Sequence, residues 1–401
     1  MIKKQVLSNG LRILYKKTNT ASVALVISVK AGCIYEPDEL MGVSHFLEHM
    51  IFNGTKTRSQ IQISRTIENL GGEFNAATDT DNTIFYIRIL KKHFDVALEI
   101  LSDIILNSVF PQELFDREKG IVLDEINMVH DNPRQHQFSL FQDALFKGHP
   151  ASKRILGTKE TIANLTRDQL FNFYKKFYVP NNMVVSVAGD VENVFPKIES
   201  KFGFLESQEL VLPNIPIQEN SKREVLEKRK ISQSYFMMGY VIPPQKDKNS
   251  FTFDVIRAIL GRVQSGWIFD EIRNKRGLAY EAGVYLDHSI NNGSICVYIN
   301  SHKKNFETIK KVIFEQFERL QNLTEEELVN MKTYIEGEFI LGHEDNVKLA
   351  EEMAFQELCT NAKDLEHYID NINKVTLEDV KSIAKKFLTQ NYSQSIIEQT
   401  D

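Results

Sequence analysis

Thr166-Arg167-Asp168-Gln169-Leu170, continuing to Lys175-Lys176-Phe177 and Asn181, returns later as Thr376-Leu377-Glu378-Asp379-Val380, Lys385-Lys386-Phe387 and Asn391. Each of these pairs is offset by 210 positions. Phe94 and Phe306 open similar amphipathic patterns 212 apart, and Phe110-Pro111-Gln112-Glu113-Leu114 parallels Leu323-Thr324-Glu325-Glu326-Glu327 at 213. A near-constant offset across three segments signals an internal duplication. Working outward from these anchors, β-branched runs predict strands at 11–15, 21–29, 83–89 and 183–188. Apolar residues at helical spacing predict helices at 42–53, 59–70, 92–107, 111–130, 134–146 and 166–177. The fold expected is α+β: two homologous domains, each a mainly antiparallel sheet packed with helices. The polar stretch 207–223, with Pro213 and Pro216, reads as a linker between an N-terminal domain at 1–206 and a C-terminal domain at 224–401.

The bulk numbers narrow the function classes. At 401 residues the chain exceeds one ordinary core. Its 42% hydrophobic and 25% charged residues are the balance of a globular protein. The formal net charge is −6 and no long Lys/Arg block occurs, so no nucleic-acid partner is expected. Cys33, Cys296 and Cys359 are odd in number and widely spaced, which argues against a disulfide framework or a cysteine metal site. Lys3 and Lys4 are not followed by the apolar stretch of a signal peptide, and no apolar run is long enough to span a bilayer. The expected location is the cytoplasm, with no membrane association.

One pentapeptide carries metal chemistry: His45-Phe46-Leu47-Glu48-His49. On a helix, positions i and i+4 share a face, so two imidazoles can meet one ion. Glu48, three residues from His45 and adjacent to His49, can bring a carboxylate beside it. Catalytic zinc usually has three protein ligands and an open position, so a third must come from elsewhere. Glu118 and Glu125 are seven apart, two helical turns, and line one face. One can ligate while the other supports a ligand. The di-iron arrangement needs a glutamate three residues before each histidine, and Gly42 and Phe46 stand there instead. The second copy, 212 positions on, reads Arg257-Ala258-Ile259-Leu260-Gly261 and offers no such ligands.

The block Gly42-Val43-Ser44-His45-Phe46-Leu47-Glu48-His49-Met50-Ile51-Phe52-Asn53-Gly54-Thr55 resembles that of the pitrilysin–insulysin–mitochondrial processing peptidase family, the inverzincins. The resemblance extends to Gly71-Gly72-Glu73-Phe74-Asn75-Ala76-Ala77-Thr78, Leu156-Gly157-Thr158, Tyr178-Val179-Pro180-Asn181-Asn182 and Ala188-Gly189-Asp190. In the second half, Arg273-Asn274-Lys275-Arg276-Gly277-Leu278-Ala279-Tyr280 is similar to the family's substrate-facing Arg–Tyr block. The stretch Gly261-Arg262-Val263-Gln264-Ser265-Gly266-Trp267 departs from the glycine-richer loop of many relatives, which bears on specificity.

The resemblance implies a zinc-dependent endopeptidase with one zinc per chain, held by His45, His49 and Glu125; Glu125 falls 76 positions after His49, as the family places its third ligand. It further implies Glu48 as general base, Glu118 as support for a ligand, and Arg273 and Tyr280 as contacts to the substrate carbonyl or the tetrahedral intermediate. Asn75, Ala76 and Thr78 would lie on the strand that binds peptide by main-chain hydrogen bonds. The substrate expected is a peptide or unfolded polypeptide. Larger family members hold four such domains and this chain two, which implies a homodimer, or a heterodimer with a paralogue. The alternative expectation is a non-catalytic or partner-dependent subunit of a heteromeric processing peptidase.

Overall fold

Strand β3 (Ser22–Val29) buries seven of its eight residues, so both of its faces meet packed side chains. In the computed structural model, which describes residues 1–216 and 218–400, this strand lies inside a six-stranded sheet. Its companions are β1 (Lys3–Val6), β2 (Arg12–Lys16), β4 (Glu73–Thr78), β5 (Thr83–Leu90) and β6 (Met183–Ala188). The order is β1-β2-β6-β3-β5-β4, and only β2 with β6 runs parallel. Burial along β5 alternates, as expected of a strand with one face on the core. β4 pairs only with β5 and forms the sheet's edge.

A second sheet contains β7 (Arg223–Arg229), β8 (Ser234–Ile242), β9 (Glu281–His288), β10 (Gly293–Ser301) and β11 (Ser393–Gln399). Its order is β7-β11-β8-β10-β9, with only β7 and β11 parallel. Both sheets are thus mainly antiparallel, and helices pack on both. The duplication is visible element by element. The helices Phe94–Asn107 and Phe306–Arg319 have 14 residues each. Arg167–Phe177 and Leu377–Phe387 have 11 each, and both begin with a threonine capping box, at Thr166 and Thr376.

The chain divides into two compact units, but not by one cut at the 207–223 stretch. Unit 1 comprises Met1–Asn127, Lys153–Asn214 and Leu341–Glu366, and unit 2 comprises Met128–Ser152, Ile215–Ile340 and His367–Asp401. The division is interleaved because each sheet takes one covering helix from the other half of the sequence. The helix Asn346–Cys359 packs on β3 and β6 of unit 1. The helix Pro133–Leu145 packs on β11 and β8 of unit 2. The two are duplicates, and even their caps correspond: the side chains of Asn132 and Asp345 each accept from two backbone amides. A sheet buried on both faces needs two covers, and the apolar faces of these helices supply the second. No helix among the described residues is long and apolar enough to cross a membrane.

The helices that matter for chemistry are α1 (Val43–Ile51), α2 (Gln60–Glu68), α3 (Phe94–Asn107) and α4 (Gln112–Asp131), all in unit 1 except the end of α4 from Met128 onward. With nine residues, α1 is too short to be stable alone. Phe46, Leu47, Met50 and Ile51 are fully buried, each contributing about 1.5–3 kcal/mol. The start of α1 has no side-chain cap from Gly42 itself. Instead the buried Glu36 carboxylate accepts from Gly42 N at 2.7 Å and Ser44 N at 2.8 Å. Burial pushes the Glu36 carboxyl up to about 7, opposed by those amides and by the Lys153 charge. Gly42 has φ +93°, and a Cβ there would meet the backbone of Gly157 at 2.8 Å, so only glycine fits this entry to the helix.

Removing the Glu36 carboxylate leaves two buried amides without acceptors. Glu36→Ala is expected to lower stability by about 2–4 kcal/mol, and Glu36→Gln, which retains one acceptor oxygen, by less. The midpoints of urea unfolding monitored by far-UV circular dichroism check this order.

Candidate metal centre

The helical spacing of α1 brings the two imidazoles of His45 and His49 together, with ring centroids 4.7 Å apart. Neighbouring α4 brings Glu125 to both. Its Oε2 lies 3.6 Å from His45 Nε2 and 3.6 Å from His49 Nε2. Glu118, two turns earlier on the same face of α4, lies with Oε2 3.3 Å from His49 Nδ1. A carboxylate can only accept here, so the His49 proton sits on Nδ1 and the Nε2 lone pair points at the Glu125 oxygen. Glu118 is buried, and its other oxygen accepts from Arg117 Nη2 at 3.0 Å. The Arg117 guanidinium also reaches Asn53 Oδ1, and Asn53 Nδ2 donates back to the carbonyl of His49.

The three donor atoms of His45, His49 and Glu125 lie within 4.8 Å of one another. A tetrahedral zinc with ligands at about 2.0–2.2 Å separates them by about 3.3–3.6 Å, so the cluster has the right span. Two further observations fit a cation. The Glu125 Oε2 atom is buried with no hydrogen-bond donor, which is costly for a carboxylate oxygen facing only two imidazoles. His45 is held neutral: burial first, then the neighbouring His49, bring its pKa down to about 3. A neutral imidazole offers the lone pair that a metal requires. Two imidazoles and a carboxylate are a donor set suited to zinc.

Glu48 is half-buried on the same turn, and its Oε2 accepts from the Thr78 hydroxyl at 2.6 Å. Burial raises its pKa from the ordinary carboxylate value; the Thr78 hydroxyl and His49 oppose that rise and the Glu125 charge adds to it. Thr78 therefore has a contact that the sequence reading did not foresee: it sits on edge strand β4 and also holds the Glu48 carboxylate. Asn75 and Ala76 lie on the same strand, with Asn75 exposed. Arg273 and Tyr280 belong to unit 2, whereas the histidine cluster belongs to unit 1. Arg273 lies on the helical turn Asp270–Lys275, its guanidinium 4.8 Å from the Phe269 ring centroid and 5.0 Å from that of Tyr280. Tyr280 is 76% exposed.

Sequence reasoning missed Glu36, Arg117 and the role of Asn53. Arg117 stands beside Glu118, so a paired charge next to a candidate carboxylate was an available signal. Glu36 carried none, because its amide partners follow an intervening turn.

Relatives among known proteins align along nearly the whole chain. The profile described as insulinase (peptidase family M16) matches residues 12–159, and that described as peptidase M16 inactive domain matches residues 164–335. An uncharacterized zinc protease of Bacillus subtilis is 30% identical over 402 residues, covering 99% of this chain and 98% of the relative. One of Rickettsia felis is 30% identical over 404 residues, covering 98% and 97%. Among solved structures, a protease from Helicobacter pylori superposes with a TM-score of 0.93 at 22% identity, covering 99% of each chain. A structure described as a peptidase M16 inactive domain, from Pseudomonas fluorescens, gives 0.90 at 19% identity, covering 100% of this chain and 98% of that one. With both family profiles in tandem and a relative 30% identical along nearly its whole length, the chain belongs to the insulinase family of peptidases, M16.

Proposed function

We propose that this chain is a zinc-dependent endopeptidase that cleaves extended peptides or unfolded polypeptides, with one zinc held by His45, His49 and Glu125. The observation that carries this reading is the convergence of the two imidazoles on a buried Glu125 oxygen that has no hydrogen-bond donor. A zinc ion there would supply Lewis acidity, making a water nucleophilic near neutral pH and polarising the peptide carbonyl. Glu48 is the general base: its ionised carboxylate receives the proton of the attacking water and returns it to the leaving amine. Glu118 keeps the His49 Nε2 lone pair aimed at the metal position. The free edge of β4 receives the peptide as an added strand, so Asn75, Ala76 and Thr78 read backbone rather than side chains.

Arg273 and Tyr280 donate to the developing oxyanion. Both are exposed on unit 2, available to a second copy of the chain. We infer a homodimer in which each copy's Arg273 and Tyr280 complete the partner's metal site. The three cysteines are free, which fits a reducing compartment such as the cytoplasm.

Glu48→Gln is expected to leave zinc content unchanged while reducing peptide hydrolysis by about 10²–10⁴-fold. Elemental analysis beside a fluorogenic peptide assay checks this. Hydrolysis surviving in the variant, or no bound zinc in the wild type, overturns the reading.

Thr78→Val removes a donor that stabilises the Glu48 carboxylate. The base acts only when ionised, so activity falls as pH drops through its pKa. Loss of the hydroxyl raises that pKa further, and the acid limb of kcat/KM against pH is expected to move to higher pH, with Thr78→Ser restoring it.

Mixing inactive Glu48→Gln with inactive Arg273→Ala chains tests the shared site. If Arg273 acts across the dimer, random exchange of subunits restores about a quarter of wild-type activity. No recovery despite light-scattering proof of mixed dimers would place Arg273 in service of its own chain's metal.

A further inference from the structure

A second cluster of nitrogen and oxygen donors lies in unit 2, remote in sequence from His45 and His49. His130 ends α4, and after the break at Asn132-Pro133, His136 stands in the first turns of the helix that follows, α5 (Pro133–Leu145). Their rings approach to 4.9 Å between centroids. Glu227, on β7, places Oε2 2.8 Å from His136 Nε2. One donor atom from each of the three residues lies within 4.8 Å of the others.

The group that now occupies this cluster is itself a cation. Arg229, two positions along β7 and so on the same face as Glu227, brings Nη2 to 2.7 Å from His130 Nε2. Its guanidinium also donates to the His130 carbonyl and pairs with Glu227. A guanidinium has no acceptor, so His130 Nε2 must offer its lone pair. The His130 proton is then on Nδ1, 3.3 Å from Asp131 Oδ1. His136 is buried and Glu227 is about one-third exposed, while the His130 side chain is 59% exposed and leaves the cluster open to solvent on that side. Burial lowers the His136 pKa, against the pull of Glu227, which favours the neutral ring.

We propose that His130, His136 and Glu227 form a second site for a divalent transition metal of the zinc type, with Arg229 as its built-in competitor. Two imidazoles and one carboxylate suit zinc, nickel or copper, and are a poor set for magnesium or calcium, which prefer oxygen ligands. Binding requires three local changes. Arg229 swings out toward solvent. The neutral His136 ring shifts its proton from Nε2 to Nδ1, which frees the Nε2 lone pair for the metal. Glu227 exchanges its hydrogen bonds to His136 and Arg229 for the metal. The dication and the guanidinium cannot share so small a space, so occupancy is set by competition between them.

The test is equilibrium dialysis of the full-length protein against zinc ions, with metal counted by elemental analysis, and against cobalt(II) with visible absorption as a second readout. Wild type is expected to take a weaker second equivalent beyond the one at His45. Arg229→Met should tighten that second equivalent by about tenfold or more. His130→Gln, at the exposed rim, and His136→Gln should each lose it while keeping the first. Circular dichroism identifies any variant that fails to fold, and the rim variant carries the test if the buried one does. His45→Ala should remove the other equivalent only, so the two sites, and the two readings, fail separately. A single equivalent in both wild type and Arg229→Met, or a second equivalent that survives both histidine substitutions, overturns the proposal.

Discussion

Two backbone amides, of Gly42 and Ser44, share one buried carboxylate, that of Glu36. This clamp fixes where α1 starts, and the start of α1 decides the rest. Once the first turn is set, helical geometry sends Phe46, Leu47, Met50 and Ile51 into the core and His45, Glu48 and His49 to the other side. A slip of one residue would rotate each side chain by about 100° and turn the imidazoles away from Glu125. The α4 carboxylates depend on the same placement. Glu125 meets both imidazoles and Glu118 meets one, because two carboxylates seven apart face two histidines four apart.

Electrostatics around this centre favour its use as a metal site over its use as an ion-pair network. His45 stays neutral through burial, so it gives the Glu125 carboxylate no compensating charge. The donorless oxygen is an unfavourable arrangement for a purely structural cluster, and sites that carry such a cost commonly do chemistry. Thr78 ties the sheet edge to the cluster: the residue that ends the open-edged strand β4 also holds the Glu48 carboxylate, so displacement of β4 and displacement of that carboxylate go together.

Much of this was legible in the sequence, for identifiable reasons. Duplication left near-constant offsets, and the paired helices beginning at Phe94 and Phe306, or capped at Thr166 and Thr376, repeat the same local physics. The histidine spacing and the Glu118–Glu125 interval encode contacts through helix geometry alone. What could not be read depends on tertiary proximity without periodicity. Glu36 reaches Gly42 across a turn that no spacing rule describes. The Arg117–Asn53–His49 link joins two helices through side chains whose types suit any surface. The partition of the chain was also hidden. The helix Asn346–Cys359 reads as an ordinary member of its own half, and only the packed structure gives it to β3 and β6.

That loan of helices bears on synthesis. All six strands of the first sheet have been synthesised once Ala188 is made, and one face of β3 and β6 then lacks its cover. Its cover comes from Asn346–Cys359, far downstream. Translation at about 5–20 residues per second leaves that face bare for roughly 10–30 s, long on the scale of chain collapse. A chain truncated before that helix would leave this apolar face exposed, the condition under which partly folded chains aggregate. The first sheet is therefore roofed on both faces only after a segment close to the end of the sequence has been made.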